Sequence, residues 1–499
     1  MPKPLGKRSR PPDLRPQINH ALQLEISGKR AEAEQVYRAV LAVDPKNSVA
    51  LHRRAILCAE RGENTEALRL IEAAIKANPG AAGTISDYGL ILDRLGRAAE
   101  AVAAFDRALV LKPKDWKALY NRGVCLGKLG RNVQAVASYD RSLDLNPQNL
   151  DALHNHGVAL SELGRHQEAA ASFARATAIK PDYAEAHFKE AVARLTLGDF
   201  RTGWEKYEWR WRTAHADGAR AFHPQPHWDG REPLAGKTIY VYSEQGLGDA
   251  IMFVRYAPLV AAQGATVIVG VQPPLKALLA GTEGISVVAA GEQLPPFDLQ
   301  CAMLSLPGCF KTDIDTIPAP VPYIHAPADR IARWRNRLPR DGCLRVGLVW
   351  AGSRTFTRDK RSTSLDRLGS LVGCPGARFV SLQRDLLEPD AEFLRLHPNV
   401  LHFGDELRDF ADTAAIISQL DVVISVDTAV AHLAGAMARP VWIMLAFSAD
   451  FRWLLAREDS PWYPTARLFR QPTIDDWASV IEKIKGELVD WVGHRASAP

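Results

Sequence analysis

The sequence predicts an α-helical solenoid followed by two α/β lobes, and three observations lead to this fold class. In the N-terminal part of the chain, glycine and proline recur at a fixed spacing of 34 residues. From Lys237 onward, short β-branched runs alternate with helical stretches, which is typical of parallel sheets covered by helices. The length of 499 residues is also too great for one core and favours two to four domains.

The bulk composition excludes several classes of protein. Hydrophobic residues make up 47% and charged residues 24% of the chain, as in ordinary soluble globular proteins. The net charge of +5 is small for this length and does not indicate nucleic-acid binding. The six cysteines form no CxxC pair, so we expect reduced thiols and no metal site. His432, Arg439 and Pro440 interrupt the longest apolar run, so no transmembrane segment is predicted. The expected reduced thiols favour a cytoplasmic location.

The regular spacing defines N-terminal repeats. Glycines and prolines mark them at Gly28, Gly62, Gly96, Gly130, Gly164, Gly198, Pro45, Pro79, Pro113, Pro147 and Pro181. Each glycine permits the turn between two helices, and each proline marks the exit from the pair. A helix-turn-helix period of 34 residues resembles the tetratricopeptide repeats (TPRs), over residues 18–211 and about five and a half repeats. The aromatic stretch 203–211 is expected to close this solenoid and dock it onto the next part of the chain.

A polar ladder follows one face of the repeats. Asp87, Asn121 and Asn155 are spaced by 34 residues, each on the first helix of its repeat. Side-chain amides at this spacing could hold an extended peptide backbone, which predicts a protein or peptide partner in a TPR groove. The alternative is that these positions are simply solvated.

The remaining chain divides into lobes and connecting segments. The predicted boundaries are a disordered basic tail at 1–17, a linker at 212–234, a first lobe at 235–325, a second lobe at 326–492 and a tail at 493–499. Strands are expected at 237–243, 265–271, 285–289, 344–351, 378–382, 422–426 and 441–445. Two facing Rossmann-like lobes correspond to the GT-B architecture of glycosyltransferases, which other two-lobed enzymes share.

The segment 421–445 carries the strongest functional signal. A buried strand, Val422–Val426, ends at Asp427 and Thr428, and a helix rich in small residues begins at Ala429. Ligands bind at the carboxyl ends of parallel strands, and the start of a helix favours phosphate. His432 follows Thr428 by one helical turn on the same face. This segment therefore predicts a nucleotide-phosphate site.

A short glycine-rich turn in the first lobe suggests the opposite side of that site. Gly246 and Gly248 allow the backbone to approach a ligand, and Asp249 lies at the start of the following helix. The alternative for Asp249 is an acidic residue that only complements the helix dipole.

The second lobe contains a similar turn followed by a basic loop. A buried strand ends at Gly352 and Ser353, and the loop after it includes Arg361 and Ser362. Arginine beside a cleft suits the neutralisation of a diphosphate. The alternative is a solvated basic loop.

Several of these stretches occur together in one known family. About residues 228–492 of the chain resemble the ADP-heptose:lipopolysaccharide heptosyltransferases. The stretches that carry this resemblance are EQGLGD, LSLP, WAG, SLQ, DFADTAA, SVDTAVAHLAGA and RWL with DSPWYP. The resemblance is strongest to bacterial relatives that carry this domain behind TPRs. It implies inverting, metal-independent hexosyl or heptosyl transfer from a nucleotide-diphosphate sugar as co-substrate, without another cofactor. The first lobe would be the acceptor side and the second the nucleotide-sugar side.

The resemblance also implies roles for individual residues. Asp249 matches the general base that accepts the acceptor's proton. The donor side would comprise the phosphate motif Thr428, Ala429 and His432, with Asp427 at its entry, the cationic contact Arg361 and the nucleotide-facing Gln383. Relatives usually carry glycine at the position of Ala429, so ADP-heptose itself is not assigned as the donor.

Two other functions are compatible with the same organisation. One is a protein O-glycosyltransferase of the O-linked N-acetylglucosamine type, which also places repeats before a GT-B domain and which the polar ladder favours. The other is a non-catalytic TPR adaptor whose transferase domain has lost activity. The intact Asp249, His432 and basic loop argue against such a loss.

Overall fold

The computed structural model describes residues 13–214, 223–339, 341–352 and 359–496. They form two compact units. One runs to Leu163 and includes Ala178–Lys180, and the other contains Gly164–Thr177 and continues from Pro181. Within the predicted tails and linker, residues 1–12, 215–222 and 497–499 lie outside the described residues. No helix in the described ranges combines the length and apolar character needed to cross a bilayer.

The N-terminal half consists of consecutive helices of 12 to 14 residues. They are α1 (Arg15–Ile26), α2 (Arg30–Val43), α3 (Ser48–Glu60), α4 (Asn64–Ala77), α5 (Ala82–Arg94), α6 (Ala98–Leu111), α7 (Trp116–Lys128), α8 (Asn132–Leu145), α9 (Leu150–Glu162), α10 (His166–Ile179) and α11 (Ala184–Thr196). The predicted helical solenoid is confirmed. Its first helix begins at Arg15, inside the range expected to be a tail.

Glycine has two different uses in these repeats. The six repeat glycines from Gly28 to Gly198 all have φ between 71° and 84°. This left-handed conformation commonly ends a helix, and glycine adopts it with the least strain. Gly123 instead lies inside α7, where an added Cβ would come within 2.5 Å of the Tyr139 ring. The missing side chain therefore lets the aromatic ring of the second helix pack directly on the backbone of the first.

The last helix of the repeat region is part of the second unit. Helix α12 (Phe200–Tyr207) continues into a 3₁₀ segment, Glu208–Arg212. The Trp204 ring lies 6.1 Å from Phe253 and 5.8 Å from Phe451. Since Trp204 is only 3% exposed, this helix shares the hydrophobic core of the lobes.

The first lobe is built on a four-stranded parallel sheet in the order β3-β2-β1-β4. Its strands are β1 (Thr238–Tyr242), β2 (Thr266–Val271), β3 (Ile285–Ala289) and β4 (Leu299–Ala302). Its helices are α13 (Leu247–Phe253), α14 (Ala257–Ala261), α15 (Lys276–Leu279) and α16 (Leu306–Cys309).

The second lobe is built on a six-stranded parallel sheet in the order β10-β9-β8-β5-β6-β7. The strands are β5 (Leu344–Val349), β6 (Ala377–Ser381), β7 (Val400–His402), β8 (Val422–Val426), β9 (Val441–Leu445) and β10 (Ala466–Arg470). The helices are α17 (Ala328–Trp334), α18 (Gly369–Val372), α19 (Glu388–Leu396), α20 (Phe410–Ile417), α21 (Ala429–Ala436) and α22 (Trp477–Ala496). The predicted fold class, a repeat solenoid followed by two α/β lobes, is confirmed.

The strand order creates a ligand crevice in each sheet. In the first sheet the chain moves outward from β1 to β3 and returns to place β4 beside β1. In the second it moves outward from β5 to β7 and returns to place β8 beside β5. Connections that leave in opposite directions open a crevice at the carboxyl ends of the two central strands. The turns after β1, β5 and β8 therefore border crevices.

Candidate functional site

The turn after β1 brings the first lobe against the second. Asp249 is the third residue of α13, and its Oδ2 accepts a hydrogen bond from the Gly246 N–H at 2.9 Å. Gly248 faces the other lobe, where an added Cβ would lie 2.8 Å from His432 Cδ2 and 3.4 Å from Ala429 Cα. The start of α13 can therefore pack on the start of α21 only because residue 248 has no side chain.

The turn after β8 forms the second-lobe side of this contact. Thr428 is the extended residue before α21, and its Oγ1 lies 2.9 Å from Ser425 Oγ. Ala429 begins an eight-residue helix, whose first backbone N–H groups have no acceptor within the helix and carry its positive dipole end. This helix start is suited to an anion.

His432 is a buried, oriented side chain. Its Nδ1 lies 3.0 Å from the Tyr463 hydroxyl, its Nε2 lies 3.7 Å from Asp427 Oδ1, and its ring stacks on Trp453 at 5.2 Å. Burial and the neighbouring arginines hold the pKa of His432 well below its usual range. The imidazole is therefore neutral near pH 7 and cannot serve as a cation for phosphate.

Arg452 is a central residue of the site that the sequence did not predict. It lies in the 3₁₀ turn Phe451–Trp453 after β9, and its Nη2 pairs with Asp249 Oδ1 of the first lobe. Its Nη1 lies 2.5 Å from Asp450 Oδ1. The stretch RWL is recognisable in the sequence only as part of the family resemblance. Nothing in the linear sequence indicates that Arg452 meets a carboxylate 203 positions earlier.

Burial changes the protonation of the acidic residues around Arg452. It raises the pKa of Asp249, and the adjacent Arg452 only partly opposes this. It also raises the pKa of Asp427 to about 6, together with the repulsion of Asp450. Both carboxyl groups therefore bind protons more readily than an exposed aspartate does.

The described end of the basic loop, from Asp359 onward, lies beside the crevice of the second sheet. Arg361 Nε donates to Asp359 Oδ1 at 2.9 Å, and Ser362 Oγ donates to Asp359 Oδ2 at 2.7 Å. The Gly352 N–H donates to Ser362 Oγ at 2.9 Å, which ties the loop to the end of β5. Against the lowering effect of burial, the carboxylates of Asp359, Asp427 and Asp450 raise the pKa of Arg361.

The neighbouring strand end and the rest of this loop complete the second-lobe side. Gln383, just after β6, accepts a hydrogen bond from the Ala351 N–H at 3.2 Å. The predicted Ser353, and the loop as far as Arg358, lie outside the described residues. Gln383, Gly352 and the described loop residues thus lie together at the carboxyl ends of β5 and β6.

The repeat cap supplies a second ion pair at the edge of the site. Glu244, two residues after the end of β1, accepts hydrogen bonds from Arg210 Nη2 at 3.0 Å and from the Leu304 N–H at 3.3 Å. The Glu244 side chain is 1% exposed, and burial raises its pKa to about 7. Gln245 donates to the Tyr207 hydroxyl at 3.2 Å. Sequence reasoning missed Glu244 and Arg210, because their partners lie far away in the chain.

The predicted groove residues occupy equivalent places in the first unit. Asp87, Asn121 and Asn155 lie on α5, α7 and α9 and are all partly exposed. The Asp87 carboxylate meets His52 Nε2 at 2.7 Å, and Asn155 Nδ2 donates to the Tyr120 hydroxyl at 3.3 Å. Their role in binding a peptide stays a prediction.

Comparisons with known proteins agree with the N-terminal fold. Tetratricopeptide-repeat family models match residues 26–86, 88–149 and 150–183. Among solved structures, YrrB, described as a TPR protein with an unusual peptide-binding site, is 24% identical and covers 35% of this chain and 90% of its own, with a TM-score of 0.32. The type IV pilus biogenesis factor PilW is 24% identical and covers 40% of this chain and 95% of its own, with a TM-score of 0.37.

A curated relative extends over more of the chain. Protein FlbA of Caulobacter vibrioides is 29% identical in an alignment of 322 positions that covers 60% of this chain and 54% of FlbA. The chain thus spans about half the length of that relative. The protein therefore carries N-terminal tetratricopeptide repeats, followed by a region of two parallel α/β lobes.

Proposed function

We propose that the two lobes form an inverting, metal-independent glycosyltransferase that uses a nucleotide-diphosphate sugar. The observation that carries this proposal is the meeting of strand-end turns from the two parallel sheets. Gly248 and Asp249 come from the first lobe, whereas Ala429, His432 and Arg452 come from the second. An acidic residue beside a helix start and a buried cation suits transfer from a diphosphate leaving group, because the helix start and the cation stabilise the negative charge that leaves.

The donor side of the proposed site offers a helix start and two arginines that could hold a diphosphate. The start of α21, Arg452 and Arg361 would share the phosphate charge. Asp427 would oppose it, but its pKa of about 6 brings the carboxyl group closer to neutrality than an ordinary aspartate. Gln383 and Gly352 border the same crevice, where a nucleotide base and ribose could lie.

Asp249 is the proposed general base. The acceptor hydroxyl oxygen would attack the anomeric carbon of the sugar, and its proton would pass to the Asp249 carboxylate. The bond from that carbon to the phosphate oxygen breaks, and its electron pair leaves with the nucleoside diphosphate. A single displacement inverts the anomeric centre. Burial raises the pKa of Asp249 and so strengthens it as a base.

The repeats are proposed to recruit the acceptor or a partner protein. A protein acceptor is the second candidate, and the position of Asp87, Asn121 and Asn155 on equivalent repeat helices favours it. Under that alternative the chemistry at Asp249 is unchanged and only the acceptor differs.

Donor binding is tested by thermal unfolding of the full chain with a panel of nucleoside diphosphates and their sugars. We expect at least one nucleotide to raise the melting temperature, because a ligand that binds only the folded state stabilises it. If none does so at millimolar concentration, the transferase proposal fails and the adaptor alternative gains support. With the active donor identified, Asp249→Asn should retain donor binding and lose transfer. Transfer at the wild-type rate would exclude Asp249 as the base.

A further inference from the structure

Arg452 is a buried cation at the point where the two lobes meet. Its side chain is only 8% exposed and contacts Asp249 of the first lobe and Asp450 of the second. The guanidinium carbon also lies 4.4 Å from the centre of the Phe451 ring. Removing an arginine from water is costly, so all of its donors are expected to find acceptors.

In the part of the chain that the structure describes, one donor of Arg452 has no acceptor. Among the described residues, neither the buried Arg452 Nε nor the buried indole nitrogen of the adjacent Trp453 makes a hydrogen bond of regular geometry, although the indole lies near enough to Asp427 to lower its pKa. Buried N–H groups of this kind are rare, because an unmet donor destabilises the folded state. The Trp453 ring stacks on His432 of α21, so both donors lie near the helix start. A ligand with several acceptor oxygens on one anionic group, such as a diphosphate, would satisfy them.

The ion pair with Asp249 has a consequence for catalysis. A carboxylate that accepts a hydrogen bond from arginine is stabilised in its charged form and is a weaker base. Asp249 Oδ1 is held in this way by Arg452, while Oδ2 is held by the Gly246 N–H. Asp249 therefore gains basicity when Arg452 turns to another anion.

We infer that Arg452 is a ligand of the donor diphosphate and that Asp249 and the diphosphate bind it in turn. Arrival of the donor takes the guanidinium from Asp249 and frees its carboxylate to accept the acceptor's proton. The general base is thus active only when the donor is in place. This inference rests on the proposed function and adds a residue and an order of events to it.

The test is a double-mutant cycle on the full chain, with inorganic pyrophosphate, UDP, ADP and GDP as probes in titration calorimetry. Arg452→Gln should weaken binding of the best probe by about 10- to 100-fold, as expected for a lost charged hydrogen bond. Asp249→Asn should tighten binding by about tenfold, because it removes the competing anion. In the Arg452→Gln background, Asp249→Asn should not increase the affinity for the probe, because the arginine for which Asp249 competes is absent.

Control variants separate this inference from other causes. Arg457→Gln removes an arginine that pairs with Asp459 at 2.8 Å elsewhere in the second lobe, and it should bind as the wild type does. Arg452→Lys keeps the positive charge and replaces the glutamine variant if circular dichroism shows that the glutamine variant is misfolded. The lysine variant should still bind the best probe more weakly than the wild type does.

The outcomes distinguish the two proposals. Wild-type affinity in both Arg452 variants, or an equal gain from Asp249→Asn in both backgrounds, overturns the inference while leaving the proposed function intact. If neither pyrophosphate nor any of the nucleoside diphosphates binds the wild type or a variant, the proposed function fails and the inference falls with it.

Discussion

At the residue scale, the candidate site depends on close approach and on charges brought together from distant parts of the chain. Gly248 has no room for a side chain beside His432, and Arg452 lies between two aspartates. The sequence predicted that the turns containing Gly248, Asp249, Asp427 and His432 would border a site, because turns after parallel strands are recognisable in a sequence. It did not predict Arg452, since an ion pair between residues 203 positions apart leaves no local pattern.

Substitution of Gly248 tests the contact between the lobes. Gly248→Ala should lower the free energy of unfolding by about 1–3 kcal/mol, because the added Cβ would lie 2.8 Å from His432 Cδ2 and the lobes must shift to relieve the overlap. Urea denaturation measures this. Gly486→Ala is the matched control: it lies within α22 with no atom within 4 Å of the new Cβ, and it should be neutral or stabilising.

Glu244 makes stability depend on pH. Its pKa is about 7 in the folded protein, against 4.5 for an ordinary glutamate, so the folded state retains the proton to higher pH. The free energy of unfolding should therefore fall as the pH rises from about 4.5 to about 7, by at most about 1.4 kcal/mol per pH unit. Denaturation of Glu244→Gln at several pH values should lack this contribution. The exposed Glu205→Gln should retain it, and an unchanged slope in Glu244→Gln would contradict the assignment.

At the element scale, long periodic segments were predictable and short ones were not. Helices of the 34-residue repeat and the strands Ile285–Ala289, Val422–Val426 and Val441–Leu445 follow the sequence closely. Strands β4, β7 and β10 were missed. The first two have only four and three residues, and β10 is an edge strand with arginine at both partly exposed positions, so none shows a continuous apolar run.

The cap helix α12 should be essential for the stability of the lobes. Trp204→Ala removes a ring that is 3% exposed and packs on Phe253 and Phe451, so we expect a loss of about 3–5 kcal/mol. Chemical denaturation followed by fluorescence of the remaining tryptophans measures it. Arg201→Ala on the exposed side of the same helix should change stability little. Equal effects of the two variants would contradict a shared core.

At the scale of the whole molecule, the chain combines tetratricopeptide repeats with two lobes that carry the candidate chemistry. The order of these parts was predictable from periodicity and composition. The charged residues that complete the site were not predictable, because they lie far apart in the sequence and meet only when the chain is folded. The two parts are therefore expected to have separable functions: acceptor or partner binding in the repeats and donor binding in the lobes.

Substitution in the predicted groove tests this separation. The double variant Asn121→Ala and Asn155→Ala should lose transfer to the natural acceptor, or capture of the partner, because two amides that could hold a peptide backbone are removed. Its affinity for the nucleoside diphosphate in calorimetry should equal that of the wild type. A parallel loss of nucleotide affinity would argue against separate roles, and normal transfer would exclude these amides from acceptor binding.

The most direct test of the central claim is a crystal structure of the chain with the nucleoside diphosphate that stabilises it most. We expect the phosphate oxygens at the start of α21, within hydrogen-bond distance of Arg452 and of the first helical N–H groups, and Asp249 no longer paired with Arg452. A nucleotide bound elsewhere, with the pair between Asp249 and Arg452 intact, would contradict the account.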